Sequence, residues 1–347
     1  MKITNAAAAA VLITFVFAIL YYGKDLLIPM VLATFIWYLI NILADFIASA
    51  RFGRFRIPRW LCFILALIII FGSLHLIITL VSTSINNVIR AAPAYQENIN
   101  GLMDRIGEWL KLDESPQLNQ LMHRINLTRT IQGLGLTLAG FISSTGLILI
   151  YTLFIFLEQK CFLPKIDKMM GGETQRTKVR RILRRIYDDT KTYIGIKTLT
   201  SLMTSIISYI IMKGVGLDFA IFWALVIFLF NYIPTIGSIV ATFFPSVLAL
   251  VQFPSLGPFL VIVIGVTGTQ VLVGNIVEPR LMGNTLNLSP LVILLSLGLW
   301  GSIWGIPGAI LCVPITVVMG IIFSNFESTR AFAILLSRDG SIRTEEG

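Results

Sequence analysis

Charge is scarce in this chain. Asp, Glu, Lys and Arg make up 13% of its 347 residues, about half the share in a soluble domain, while 56% are apolar. So little polar material cannot coat a water-soluble fold of this size, which points to a polytopic membrane protein. Histidine is scarcer still: His75 and His123 lie far apart, and neither belongs to a His-Glu-x-x-His run. The chain also has no Gly-x-Ser-x-Gly elbow and no Gly-x-x-x-x-Gly-Lys-Ser/Thr phosphate loop. Those absences argue against an enzyme, a metal site or a bound cofactor, and against ATP hydrolysis by this chain alone. Cys62 and Cys312 sit in apolar runs and Cys161 beside a basic segment, a spacing that gives neither a disulfide framework nor a metal site. They read as small apolar filler.

The formal net charge is +9, but the charges are gathered between long uncharged runs. Membrane topology explains such clusters without nucleic acid. Apolar runs at 6–22, 26–44 and 60–84 give three helices in an N-terminal segment, 1–85. The first ends in Tyr21, Tyr22, Gly23 and Lys24, without a small-residue cleavage site, and so reads as retained. Pro29 is tolerated in the first turn of the second. Arg51, Arg54, Arg56 and Arg59 mark the loop before the third as cytoplasmic, and with it the N-terminus.

Segment 86–130 is polar enough to leave the bilayer on the outer side. Ile99, Leu102, Met103, Ile106, Trp109 and Leu110 recur at helical spacing, and Leu118, Leu121, Met122 and Ile125 suggest a second short helix after Pro116. A fourth span covers 131–157, with Gly133, Gly135, Gly140 and Gly146 permitting close helix contact. Segment 158–191 is basic and cytoplasmic. Lys178, Arg180, Arg181, Arg184 and Arg185 surround an apolar line of Val179, Ile182, Leu183, Ile186 and Tyr187, as in a helix lying on anionic lipid headgroups. The fifth span, 193–212, has Lys197 near its cytoplasmic end, placed to snorkel to the interface.

Segment 192–324 reads as a transport core with broken helices, followed by a cytoplasmic tail, 325–347. Run 219–253 is interrupted by Asn231-Tyr232-Ile233-Pro234-Thr235-Ile236-Gly237 and again by Pro245. Run 290–323 is interrupted by Gly301 to Gly308, including Gly305 and Pro307, and again by Pro314. Proline removes a helical donor and glycine lets the backbone turn. Paired interruptions of this kind point to a carrier's binding site. Each stretch either crosses once as a bent helix or folds into a hairpin; a proline kink without a cavity is the plainer alternative. Between them lies the run 257–273, and then Asn275, Glu278, Pro279, Arg280 and Gly283. Glu278 and Arg280 are the only charges between Asp218 and Glu327. A charge so isolated is an interfacial anchor or part of a transport path.

The run from Asn231 to Gly237, the run Glu278-Pro279-Arg280-Leu281-Met282-Gly283 and the Gly/Pro-rich final span resemble the autoinducer-2 exporter family. The resemblance covers nearly the whole chain. It implies an all-α integral membrane protein with about eight transmembrane segments, working without ATP in the inner membrane, multi-pass, with both termini cytoplasmic. Some members are linked to autoinducer-2 release, and so to quorum sensing, and others to sodium–proton exchange. Homo-oligomers are expected, with pentamers the anticipated size.

The reading is therefore secondary transport or export of a small polar solute, possible partners being membrane lipids and a proton or sodium ion. Asn231, Thr235, Ser238, Gln270 and Asn275 would offer hydrogen bonds near the breaks, and Glu278 a proton or cation site whose charge state Arg280 sets. The alternative is an oligomeric channel or a membrane scaffold without coupled transport.

Overall fold

A backbone crossing a bilayer must satisfy its polar groups within its own segment, and long uncharged runs therefore fold as helices. The computed structural model describes residues 2–49, 58–109, 145–283 and 287–341, and every regular element among them is helical. In chain order these are α1 (Lys2–Tyr22), α2 (Lys24–Ser49), α3 (Arg59–Trp109), α4 (Thr145–Met169), α5 (Glu173–Val215), α6 (Ala220–Phe230), α7 (Ile236–Gln252) and α8 (Leu256–Leu272). A π-helical segment, Val273–Val277, joins α8 to α9 (Glu278–Met282); α10 (Pro290–Ser324), a 3-10 turn at Glu327–Thr329 and α11 (Arg330–Leu336) follow.

Among the described residues six helices are long and apolar enough to cross a membrane: Lys24–Ser49, Arg59–Ser84, Thr145–Met169, Glu173–Val215, Leu256–Met282 and Pro290–Ser324. Helix α3 passes the expected boundary at residue 85 without a break and continues to Trp109. The short helix expected after Pro116, the glycines Gly133, Gly135 and Gly140 of the expected fourth span, and the loop with Arg51, Arg54 and Arg56 lie outside the described residues. The basic segment is not a separate surface helix: Lys178 to Arg185 share one continuous helix, α5, with the fifth span.

The chain divides into two compact units. The first comprises Met1–Ile70, Ser144–Thr198 and Glu278–Gly347. Its core forms where Ile40 and Ala44 of α2 meet Cys62 and Ala66 of α3, with Phe156 of α4 packed against them. The small side chains at Ala44 and Ala66 let helix backbones approach, as membrane helices prefer. Trp37 Nε1 donates to Gln159 Oε1 at 2.8 Å, tying α2 to α4, and Lys191 on α5 pairs with Asp45 on α2. At the tail, Asn287 Nδ2 donates to Asp339 Oδ1 at 2.7 Å; that bond and those from Ser341 hold the Asp339 carboxyl down at about 2.

The second unit comprises Phe71–Ser143 and Leu199–Val277. Its core gathers Met212, Phe222, Trp223, Ile227, Ala241, Ile262 and Val266 from α5 to α8. Chain direction alternates along these four helices. Gly216, with φ of 83°, turns the chain out of α5, and Asn231 at the far end of α6 reaches back to Ser201 on α5. Gln252, closing α7, accepts from the Asp218 N–H at 2.8 Å and donates to the Gly216 carbonyl at 2.9 Å, so the end of α7 meets the end of α5.

Candidate functional site

Glu278 opens α9, immediately after the π-helical segment. Pro279 has no N–H to offer the carbonyls a turn before it, and the register widens there. Glu278 accepts from the Lys197 ammonium with both oxygens, at 2.8 and 2.9 Å. Only 10% of the Lys197 side chain and 17% of that of Glu278 are exposed. This corrects two expectations. Lys197 does not snorkel to an interface, and Lys197 rather than Arg280, which is exposed, is the cation facing Glu278. Geometry favours it: a side chain on α5 approaches the carboxylate from a facing helix, whereas Arg280 stands two positions along the same helix and points elsewhere. Asn275, Pro279 and Gly283 are exposed.

The break between α6 and α7 is a tight reversal. Ile233 N–H donates to the Phe230 carbonyl at 2.8 Å, Gly237 N–H to the Ile233 carbonyl at 3.1 Å, and Ile236 N–H to the Pro234 carbonyl at 2.6 Å. The last bond closes a γ-turn whose central residue is Thr235, at φ 61° and ψ −58°. A β-branched residue at positive φ is strained. Gly237 is required: a Cβ there would lie 1.8 Å from the Phe230 carbonyl oxygen. Beyond the turn α7 packs back on α6, with Trp223 and Phe244 stacked at 6.0 Å. Asn231 Nδ2 donates to Ser201 Oγ at 3.2 Å.

The break in α10 follows the same scheme. Gly305 takes φ 65° and ψ −139°, Pro307 follows, and a Cβ on Gly308 would lie 1.9 Å from the Trp300 carbonyl oxygen. Ser296 Oγ lies 2.6 Å from Thr316 Oγ1 and donates to the Cys312 carbonyl at 3.1 Å. Residues that far apart on a straight helix would be separated by about 30 Å. Helix α10 is therefore two arms folded together, and both interrupted runs are hairpins rather than bent helices. Trp304, at the tip, donates from Nε1 to the Leu20 carbonyl of α1 at 3.0 Å.

The sequence candidates thus fall into two sets. Asn231, Pro234, Thr235, Gly237, Gln270 and Asn275 belong to the second unit, and Glu278, Pro279, Arg280, Gly283, Gly305 and Pro307 to the first. Gln270 is buried on α8. The five basic residues of α5 also separate in role: Lys178, Arg181 and Arg184 are exposed, Arg180 is bound bidentately to Asp167, and Arg185 faces Asp189 at 3.7 Å. Sequence reasoning missed Lys197 as a partner, Gly308 as an obligatory glycine, and a row of buried hydroxyls on α5. That row, Thr200, Ser201, Thr204, Ser205 and Ser208, was visible as a helical period.

The sequence matches the profile of the AI-2E family transporters over residues 10–328. It is 31% identical over 314 residues to a protein of Borreliella burgdorferi named as a provisional transport protein, covering 89% of this chain and 83% of that one. It is 30% identical over 326 residues to the AI-2 transport protein TqsA of Escherichia coli, covering 91% and 90%. A provisional transport protein of Bacillus subtilis, YrrI, is 26% identical over 318 residues, covering 87% of each. Several apolar helices of spanning length and this match across the chain make it a multi-pass membrane protein of a transport family. The chain belongs to the AI-2E transporter family.

Proposed function

We propose that this chain is a secondary transporter that exports a small polar solute across the bacterial inner membrane, coupled to a proton or sodium gradient. Autoinducer-2 is the first solute to test, because TqsA is named for it. The observation that carries the coupling is the Lys197–Glu278 pair. Two charges withdrawn from water attract strongly across a short distance, and the pair is held only while both are charged. A proton on Glu278, or a sodium ion in place of the ammonium, removes the tie between α5 and α9. The isolation of Glu278 in apolar sequence supports the same reading.

In this reading the two hairpins are re-entrant. Helix α6, with 11 residues, is about 16 Å long and falls short of a hydrocarbon core of about 30 Å. Six full crossings, through α1, α2, α3, the run ending in α4, α5 and α8, then replace the expected eight and keep both termini cytoplasmic. The α6–α7 hairpin enters from the outer face and α10 from the inner face. Lys178, Arg181 and Arg184 lie toward anionic lipid, and the working form is a homo-oligomer, with a pentamer the first size to test. No catalytic step is part of this reading.

The test is flux of labelled autoinducer-2 in proteoliposomes holding only this protein, with and without imposed proton and sodium gradients. Saturable, gradient-dependent flux supports a coupled carrier. Conductance without counterflow would mean a channel, and neither would mean a scaffold.

A further inference from the structure

Helix α11 lies past the last spanning run, where a water-facing tail would be expected, yet its outer face is apolar. At about 100° per residue, Ile334, Ala331, Leu335 and Phe332 follow one another around an arc of about 160°, and all four are exposed. Leu335 is 71% exposed and Phe332 58%, while Ala333 on the opposite side is buried. A surface helix in water ordinarily turns polar residues outward.

The contacts of the tail fix where this helix lies. Thr329, just before it, donates from Oγ1 to the Phe323 carbonyl at 3.1 Å, and the Phe323 and Phe332 rings stand 6.0 Å apart. Its first turn therefore adjoins the end of the second arm of α10. At its other end the Ser289 N–H donates to the Leu336 carbonyl at 3.0 Å, so its last turn adjoins the start of the first arm. The seven residues of α11 are about 10 Å long, the distance between the axes of two packed helices. Helix α11 thus bridges the open end of the α10 hairpin, crosswise to its arms. Those arms are apolar enough to lie in a bilayer, and a helix laid across their open end lies along the membrane surface. Beyond it, the Arg338 N–H donates to Asn287 Oδ1 at 3.2 Å, and Asn287 Nδ2 donates to the Ser341 carbonyl at 3.0 Å. A helix this short does not hold in water by itself. Here both ends are fastened, so binding has little left to order.

Charge selects the occupant. Arg330 and Arg338 are exposed at the two ends of α11, and the exposed Lys178 of α5 stands 6.0 Å from the centre of the Phe326 ring. Asp339 is engaged by Asn287 and Ser341, leaving Glu327 as the acid set against three cations. A second copy seated face to face would bring like charges together. An apolar face bordered by cations fits the acyl chains and phosphates of an anionic leaflet. We propose that α11 is a lipid-binding surface, with Phe332, Ile334 and Leu335 bedded among acyl chains and Arg330, Arg338 and Lys178 on the phosphates of anionic phospholipid. This contact goes beyond the transport reading and does not depend on it.

Nitroxide labels at Leu335→Cys and, separately, at Phe332→Cys test it, in full-length protein with Cys62, Cys161 and Cys312 replaced. The protein is placed in nanodiscs of phosphatidylcholine alone or mixed with phosphatidylglycerol. Collision of the label with oxygen, which concentrates among acyl chains, is compared with collision with a water-soluble nickel chelate. Oxygen should prevail severalfold at both positions in the mixed lipid, and by less in phosphatidylcholine alone. Arg330→Gln combined with Arg338→Gln should remove most of that difference. Leu335→Cys, the more exposed position, serves alone if Phe332→Cys loosens the packing on Phe323. Prevalence of nickel would place the face in water and overturn the proposal. Labels shielded from both reagents would mean that protein, a second copy included, covers the face, and would overturn it equally. Equal readings in the two lipids, or a difference undiminished by loss of both arginines, would overturn the docking on anionic lipid.

Discussion

Glu278 presents both carboxylate oxygens to the Lys197 ammonium, with each side chain largely withdrawn from solvent. Taking both charges from water offsets much of their attraction, so the pair adds little to stability while it is whole, yet losing one partner strands the other. Lys197→Met alone should destabilise the protein by about 3–5 kcal/mol. The double variant Lys197→Met with Glu278→Leu should recover most of that, read as Tm in detergent; losses that simply add would show that the two charges do not depend on each other. The glycines give a second residue-scale expectation. Gly237→Ala and Gly308→Ala each drive a methyl into a carbonyl oxygen and should sharply lower the yield of folded protein. Gly320→Ala, with open space at its Cβ, should leave it unchanged. Equal yields from all three would contradict the close approach of the hairpin arms.

Helical elements were largely legible in the sequence, because bilayer-length apolar runs bounded by charge have few alternatives. The positions of both breaks were legible too, where Pro234 and Gly237, and Gly305 and Pro307, fall close together, whereas Pro245 and Pro314, expected to interrupt again, lie within α7 and α10 without a break. Hairpin or bend was not legible: that depends on whether Ser296 meets Thr316 and Trp223 meets Phe244, and distance across an element leaves no mark in composition. The partner of Glu278 was hidden for the same reason. Lys197 is 81 positions away on another helix, while Arg280 stood nearby and drew the assignment. With the native cysteines replaced, Ser296→Cys and Thr316→Cys should form a disulfide under mild oxidation. A straight or gently bent α10 would leave those thiols uncrosslinked. Thr235→Gly should raise Tm, because glycine takes the positive φ of the γ-turn without the strain of about 1–3 kcal/mol carried by threonine. A lowered Tm would mean that the threonine side chain contributes more than its backbone loses.

At the scale of the molecule, the proposal that both hairpins are re-entrant makes a prediction about faces. In a cysteine-free background, single cysteines placed in turns 216–218 and 253–255 should both react with an impermeant thiol reagent from the outer face. Those placed at 287–289 and at 325–327 should both react from the inner face. A split within either pair would mean a bent crossing. The claim that joins these scales is that one buried carboxylate links solute movement to an ion gradient. The measurement closest to it compares native protein and Glu278→Gln in proteoliposomes, following gradient-driven accumulation and downhill exchange of labelled autoinducer-2 in the same vesicles. The account predicts that Glu278→Gln, compared with native protein at equal amounts of assembled protein, keeps downhill exchange and loses accumulation under every imposed proton or sodium gradient. Accumulation by Glu278→Gln at the native rate would contradict it.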